Sequence, residues 1–97
     1  MIALARDIAA RVRLGTADPV HVTQEALALC HASQPRLNAL TLIDDSKALA
    51  EAATIPARMA AGEDLPLAGV PIVVKDNIWV GGWRITQGSR YFANHIA

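Results

Sequence analysis

The stretch that most constrains this chain is residues 66–90, P-L-A-G-V-P-I-V-V-K-D-N-I-W-V-G-G-W-R-I-T-Q-G-S-R. Within it Gly69-Val70-Pro71-Ile72-Val73-Val74 is apolar on both alternating faces, the pattern of a strand covered on both sides. Such a strand belongs inside a sheet. Pro71 has no amide to give to a ladder, so pairing is expected to begin at Ile72. Alternation along the strand puts Val73 and Lys75 on one face and Val74 and Asp76 on the other. Lys75 thus stands at the carboxyl end of an apolar run, where open α/β sheets gather their reactive groups. Two readings follow. The lysine can snorkel to water while Asp76-Asn77 makes an Asx-type turn, or desolvation can lower its reference pKa of about 10.4 until the amine serves as a proton acceptor. The residues by themselves leave both open.

The chain before this stretch reads as helical. Apolar residues recur at Ala5, Ile8, Ala9 and Val12, one face of a helix over residues 2–14 that Gly15 ends. Asp18-Pro19 has the form of an N-cap followed by a first helical position. The second helix then buries Val22, Ala26, Leu29 and Cys30. Pro35 is expected to break it, and L-N-A-L-T-L-I over residues 37–43 leans toward a strand. Asp44 and Asp45 offer a cap to a third, alanine-rich helix. Pro56 is expected to kink that helix or start a new short one over residues 56–61, with Thr54 as its cap and Gly62 as its end. Gly81-Gly82 and Gly88-Ser89 mark turns. The order helix, helix, strand, helix, strand predicts an α/β arrangement.

Composition removes several functions. Nine basic and nine acidic residues give zero formal charge, and the basic residues are scattered without interleaved aromatics, so neither nucleic acid nor an anionic membrane is an expected partner. No apolar run reaches the roughly 18 residues of a membrane span. Three arginines in the first fourteen residues suggest a transit peptide, but Asp7 and the absence of serine before Ser33 favour an ordinary surface helix. Cys30 is the one cysteine, which fits a reducing, cytoplasmic setting, and its place on an apolar stripe reads as burial rather than reactivity. His21 and His31 lie too far apart for a metal-binding pair, so no metal or other cofactor is expected.

The run G-V-P-I-V-V-K-D-N-I, then G-G, then T-Q-G-S, resembles the N-terminal part of the amidase signature family, whose usual pattern is G-[VI]-P-x-x-V-K-D-N-[IV] followed by T-x-G-S. The upstream helices, the L-N-A-L segment and the alanine-rich helix match that family's lead-in, so the resemblance covers nearly the whole chain. It implies an α/β/α fold around a mixed sheet, incomplete here, with residues 1–97 forming the N-terminal portion of one domain: a helical lead-in at 1–62 and the lysine-bearing segment at 66–90. It also implies amide hydrolysis by a Ser-cisSer-Lys relay. In that relay Lys75 takes the proton of a bridging serine, which takes that of the nucleophile, and a glycine-rich segment supplies an oxyanion hole. Asp76 and Asn77 would fix the turn that aims Lys75, and Thr86, Gly88 and Ser89 would brace it.

Ser33, Ser46 and Ser89 are the only serines, and none lies in a serine- and glycine-rich cluster. Both relay serines are therefore expected beyond residue 97, and the chain is expected to be an inactive fragment of a hydrolase. The complete enzyme would take a small-molecule amide and could form a homodimer or larger assembly. Two rivals stand beside this reading: the amidase-like subunit of a tRNA-dependent amidotransferase, and a non-catalytic interaction module. Trp79 and Trp83 depart from the family pattern, as does Ile85, and the two indoles read as packing against a neighbouring helix.

Overall fold

A computed structural model describes residues 4–97. The first positions of the predicted opening helix, Ile2 and Ala3, lie outside the described residues. Three α-helices follow in order: α1 (Ala5–Arg13), α2 (Pro19–Leu37) and α3 (Asp45–Ala60), with a single 3-10 turn, Arg90–Phe92, near the end. α2 packs against α3.

Local chemistry sets most helix ends. Gly15 and Gly62 each stop a helix in the left-handed conformation, φ 77° and 88°, with the following amides returning to carbonyls of the last turn. Asp18 caps α2, its carboxylate accepting from the Val20 amide at 2.9 Å, and Pro19 fills the first turn without wasting a donor. Asp44 caps α3 by accepting from the Lys47 amide at 3.0 Å.

Two prolines predicted to interrupt helices do not. α2 runs through Pro35 to Leu37, and α3 runs through Pro56 to Ala60. A helical proline forfeits the bond to the carbonyl four residues back and crowds that turn. Pro35 lies only two residues from the end of α2, so little helix follows it. The turn that ends α2 comes at Asn38, left-handed at φ 45°, whose amide donates to the Gln34 carbonyl at 2.8 Å. The Gln34 side chain then binds the Leu40 backbone twice, donating to its carbonyl at 2.7 Å and accepting its amide at 3.2 Å. That pairing gives the 38–44 connection its backbone partner in place of a strand. Thr54 does not cap a new helix; its hydroxyl donates back to the Glu51 carbonyl within α3.

The predicted α/β arrangement with a mixed sheet is corrected by the structure. Among the described residues there is no strand, and the one β-type pairing is an isolated antiparallel bridge between Arg84 and Ile96. Residues 70–74 are not buried either: Ile72 and Val73 are 75% and 73% exposed. The physical reason is that a strand is stabilised by its neighbours, and among the described residues no segment pairs its amides and carbonyls. A fully apolar run records what could cover it but supplies no ladder.

The core is correspondingly small, and among the described residues it consists of Ala9, Val12, Ala52, Ala68 and Ile85. The accessible surface of 7065 Å² exceeds the ~5,400 Å² of a compact monomer of this mass, which places much apolar surface in water. Leu29, predicted to be buried on α2, is 73% exposed; the buried positions of that helix are Pro19 and Thr23. Cys30 is half-buried. The 66–70 loop docks closely on the first two helices. Arg13 donates to the Pro66 carbonyl at 2.8 Å, and Gly69 approaches Val12 and Pro19 so closely that a Cβ there would stand 3.0 Å from each.

Candidate functional site

After Val74 the chain makes three turns that gather the predicted site residues. Asp76-Asn77 forms the centre of the first, closed by the Ile78 amide donating to the Lys75 carbonyl at 3.0 Å. Gly81-Gly82 forms the second, closed by the Trp83 amide on the Val80 carbonyl at 3.0 Å. Gln87-Gly88 forms the third, with φ of 52° and 70°, closed by the Ser89 amide on the Thr86 carbonyl at 2.9 Å.

The first and third turns are tied together through Asp76. Its carboxylate accepts the Thr86 amide at 2.8 Å and the Thr86 hydroxyl, while its backbone carbonyl accepts the Gln87 amide at 3.0 Å. The Thr86 hydroxyl oxygen in turn accepts from the Gly88 amide at 3.2 Å. This arrangement favours the ionised carboxylate. The Thr86 hydroxyl, then its amide, hold Asp76 below the ordinary aspartate value against the opposing effect of burial, with the nearby Arg84 charge a lesser aid. Arg84 also donates to the Thr41 carbonyl at 2.8 Å, connecting the site to the 38–44 loop.

Lys75, Asp76, Asn77, Gln87 and Gly88 line an open cleft of about 340 Å³. Lys75 points outward and is exposed, whereas Asp76 turns inward to Thr86, so the alternation expected of a strand survives at this pair. Thr86 bonds Asp76 but does not line the cleft. Ser89 stands apart: its hydroxyl accepts from the Tyr91 amide at 3.2 Å and caps the 3-10 turn. Gln87 was missed by sequence reasoning. Its place before a glycine in T-Q-G-S marks a turn, but nothing in the letters alone marks a cleft-lining residue at positive φ.

The other serines serve their helices. Ser33 donates to the Cys30 carbonyl at 2.8 Å within α2, and Ser46 lies exposed in the first turn of α3. Trp83 packs on α3: Lys47 Nζ stands 4.6 Å from its ring centre, and its indole N–H donates to Glu51 Oε1 at 3.3 Å. Trp79 instead meets His95 edge to face at 5.1 Å, and is otherwise exposed. Among the described residues no three His, Cys, Asp or Glu side chains converge to hold a metal ion, and no helix is long and apolar enough to cross a membrane.

Comparison with known proteins adds the family. The chain is 48% identical over 96% of its length to a Glutamyl-tRNA(Gln) amidotransferase subunit of Deinococcus radiodurans, and 44% identical over 96% to that of Deinococcus deserti. It is 40% identical over 80% of its length to the protein of the same name from Chromobacterium violaceum. The chain spans 19% of the first two relatives and 16% of the third. No solved structure matches it. The family model described as Amidase matches residues 21–97, a span that takes in α2 from its third residue, α3, Lys75 and the Asp76–Thr86 tie. The chain belongs to the amidase signature family.

Proposed function

We propose that this chain carries the general-base lysine of an enzyme that breaks a carboxylic amide, and that Lys75 is the last proton acceptor of a Ser-cisSer-Lys relay. The observation that carries the reading is the seat of Lys75: its side chain borders a cleft whose neighbouring turn is held by Asp76 through two bonds to Thr86. A base must be aimed within hydrogen-bond reach of the hydroxyl it deprotonates. The tie fixes the backbone that follows the amine, and Asn77 and Gly88 line the same cleft.

In the relay, the free amine of Lys75 takes the proton of the bridging serine as that serine takes the proton of the nucleophile. The nucleophile attacks the amide carbonyl, the proton held on Lys75 passes back through the bridging serine to the amide nitrogen, and the C–N bond breaks to leave an acyl-enzyme and free ammonia or an amine. Neither relay serine is assigned to Ser33, Ser46 or Ser89, whose hydroxyls are engaged or lie on other faces. Both therefore belong to sequence outside these 97 residues, and this segment alone is inactive.

Between hydrolase and amidotransferase, the names of the relatives favour the second: the amidase-like subunit of a tRNA-dependent amidotransferase, working with partner subunits in the cytoplasm. The two share the lysine-dependent release of nitrogen from an amide and differ in where that nitrogen goes. Lys75→Ala in the complete protein is expected to abolish hydrolysis of a small amide donor while circular dichroism stays unchanged, since the side chain is exposed. Near-normal turnover in that variant would refute the role of Lys75. Amide transfer to glutamyl-tRNA(Gln) that requires added partner subunits supports the transferase, and turnover of simple amides with no such requirement supports the hydrolase.

A further inference from the structure

We infer that Lys47 and Trp83 are positioning residues, and that their contact on α3 holds the 80–86 segment where Thr86 can grip Asp76 beside Lys75. The inference rests on the role proposed for Lys75 and extends the site to a helix that does not touch the cleft.

Five contacts converge on this point. Lys47 Nζ donates to the Gly82 carbonyl and lies over the Trp83 ring, 4.6 Å from its centre. One turn further along the same helix face, Glu51 accepts the Trp83 indole N–H at 3.3 Å. The indole is thus held between a cation above its face and a carboxylate at its edge, the two electrostatic preferences of the ring. The turn is also tied from behind, with the Gly82 amide on the Ala97 carbonyl at 2.8 Å and the Ala97 amide on the Trp83 carbonyl at 2.9 Å.

Only Arg84 and Ile85 separate Trp83 from Thr86. Arg84 is fixed by the Thr41 carbonyl, and Ile85 is 2% exposed, so this bridge has little freedom to absorb a displacement at Trp83. A shift of the turn therefore moves Thr86 relative to Asp76. The path runs from α3 through residues 82–86 to Asp76 and then to the adjacent Lys75.

The test uses the complete protein, isotope-labelled and without substrate. Two quantities are read by NMR: the titration midpoint of the Asp76 carboxyl carbon, and the hydrogen-exchange rate of the Thr86 amide. Lys47→Met keeps an apolar stem over the indole and removes the charge and the donor. It is expected to raise the Asp76 midpoint toward the ordinary aspartate range and to speed Thr86 exchange on the order of tenfold. Trp83→Phe, which loses the indole N–H, is expected to move both in the same direction, and Lys47→Arg to restore both.

Arg84 is the cation that acts on the Asp76 carboxylate, so a raised midpoint in Lys47→Met reports a displaced Thr86 and not a lost neighbouring charge. Unchanged Asp76 midpoints in both Lys47→Met and Trp83→Phe would overturn the inference. That outcome is separate from a failure of Lys75 as a base, because neither readout involves amide turnover.

Discussion

The sharpest test of the packing is Gly69→Ala. Gly69 has φ of 70°, and a Cβ built on it would lie 3.0 Å from Pro19 Cβ, 3.0 Å from Val12 Cγ2 and 3.3 Å from Val12 Cγ1. Two costs therefore combine. Holding a residue with a Cβ in the left-handed region costs about 1–2 kcal/mol. Carbon atoms prefer separations of about 3.5–4.0 Å, so the new methyl overlaps two neighbours, and overpacking of this kind costs about 1–3 kcal/mol. Neither neighbour can yield cheaply: Val12 is 1% exposed, and Pro19 has a closed ring at the start of α2. The total is about 2–5 kcal/mol. Gly15→Ala provides the control, since Gly15 has φ of 77° with nothing within 4 Å of the built Cβ. It should lose only the conformational part, about 1–2 kcal/mol. The measurement is the urea midpoint of the two variants against the parent, followed by helical circular dichroism. Equal losses in both would show that the 66–70 loop is not clamped between α1 and α2, and the docking of that loop would have to be abandoned.

Three further outcomes follow from individual contacts. Thr86→Val removes the hydroxyl donor that does most to stabilise the Asp76 carboxylate, so the Asp76 midpoint should rise while the Thr86 amide bond keeps part of the depression; an unmoved midpoint would show that the hydroxyl is not bonded there. Because the folded Asp76 value is depressed, the tie contributes stability above the ordinary aspartate pKa and loses it as pH falls through the folded value. The Thr86 amide chemical shift should then titrate in step with Asp76, at acid pH, and not near neutrality. Asp44→Ala should cost about 1 kcal/mol by removing the α3 cap, whereas Leu29→Ser, on a 73% exposed side chain, should leave the urea midpoint within about 0.5 kcal/mol of the parent.

What the letters reveal depends on whether the controlling interaction is local. Asp18-Pro19, Asp44 and Gly15 fix helix ends through contacts a few residues away, and they are readable as such. So are the turns at Asp76-Asn77 and Gly81-Gly82, whose closing bonds span three residues. Pro35 and Pro56 mislead because a proline penalty is a local preference that the rest of a helix can outweigh. The strand over residues 70–74 misleads for a different reason: β structure requires a partner, and period-two patterning carries no information about whether one lies alongside.

The site divides in the same way. Motif matching singles out Lys75, Asp76 and Thr86, but the bond between the last two spans ten residues and is not implied by their spacing. The contact of Trp83 with Lys47 and Glu51 spans more than thirty, and sequence can say only that an indole will find a helix. Lys75 itself has two readings in the sequence, a snorkelling lysine and a proton acceptor. The exposed side chain suits the first, while the held turn that follows it suits the second. These are compatible, because a relay base needs its backbone fixed before its partner arrives and its amine free to meet that partner. Under the role proposed for Lys75, what would set it apart from a surface lysine is thus the tethering of its neighbours, Asp76 to Thr86 and Trp83 to α3, and not the environment of the amine itself.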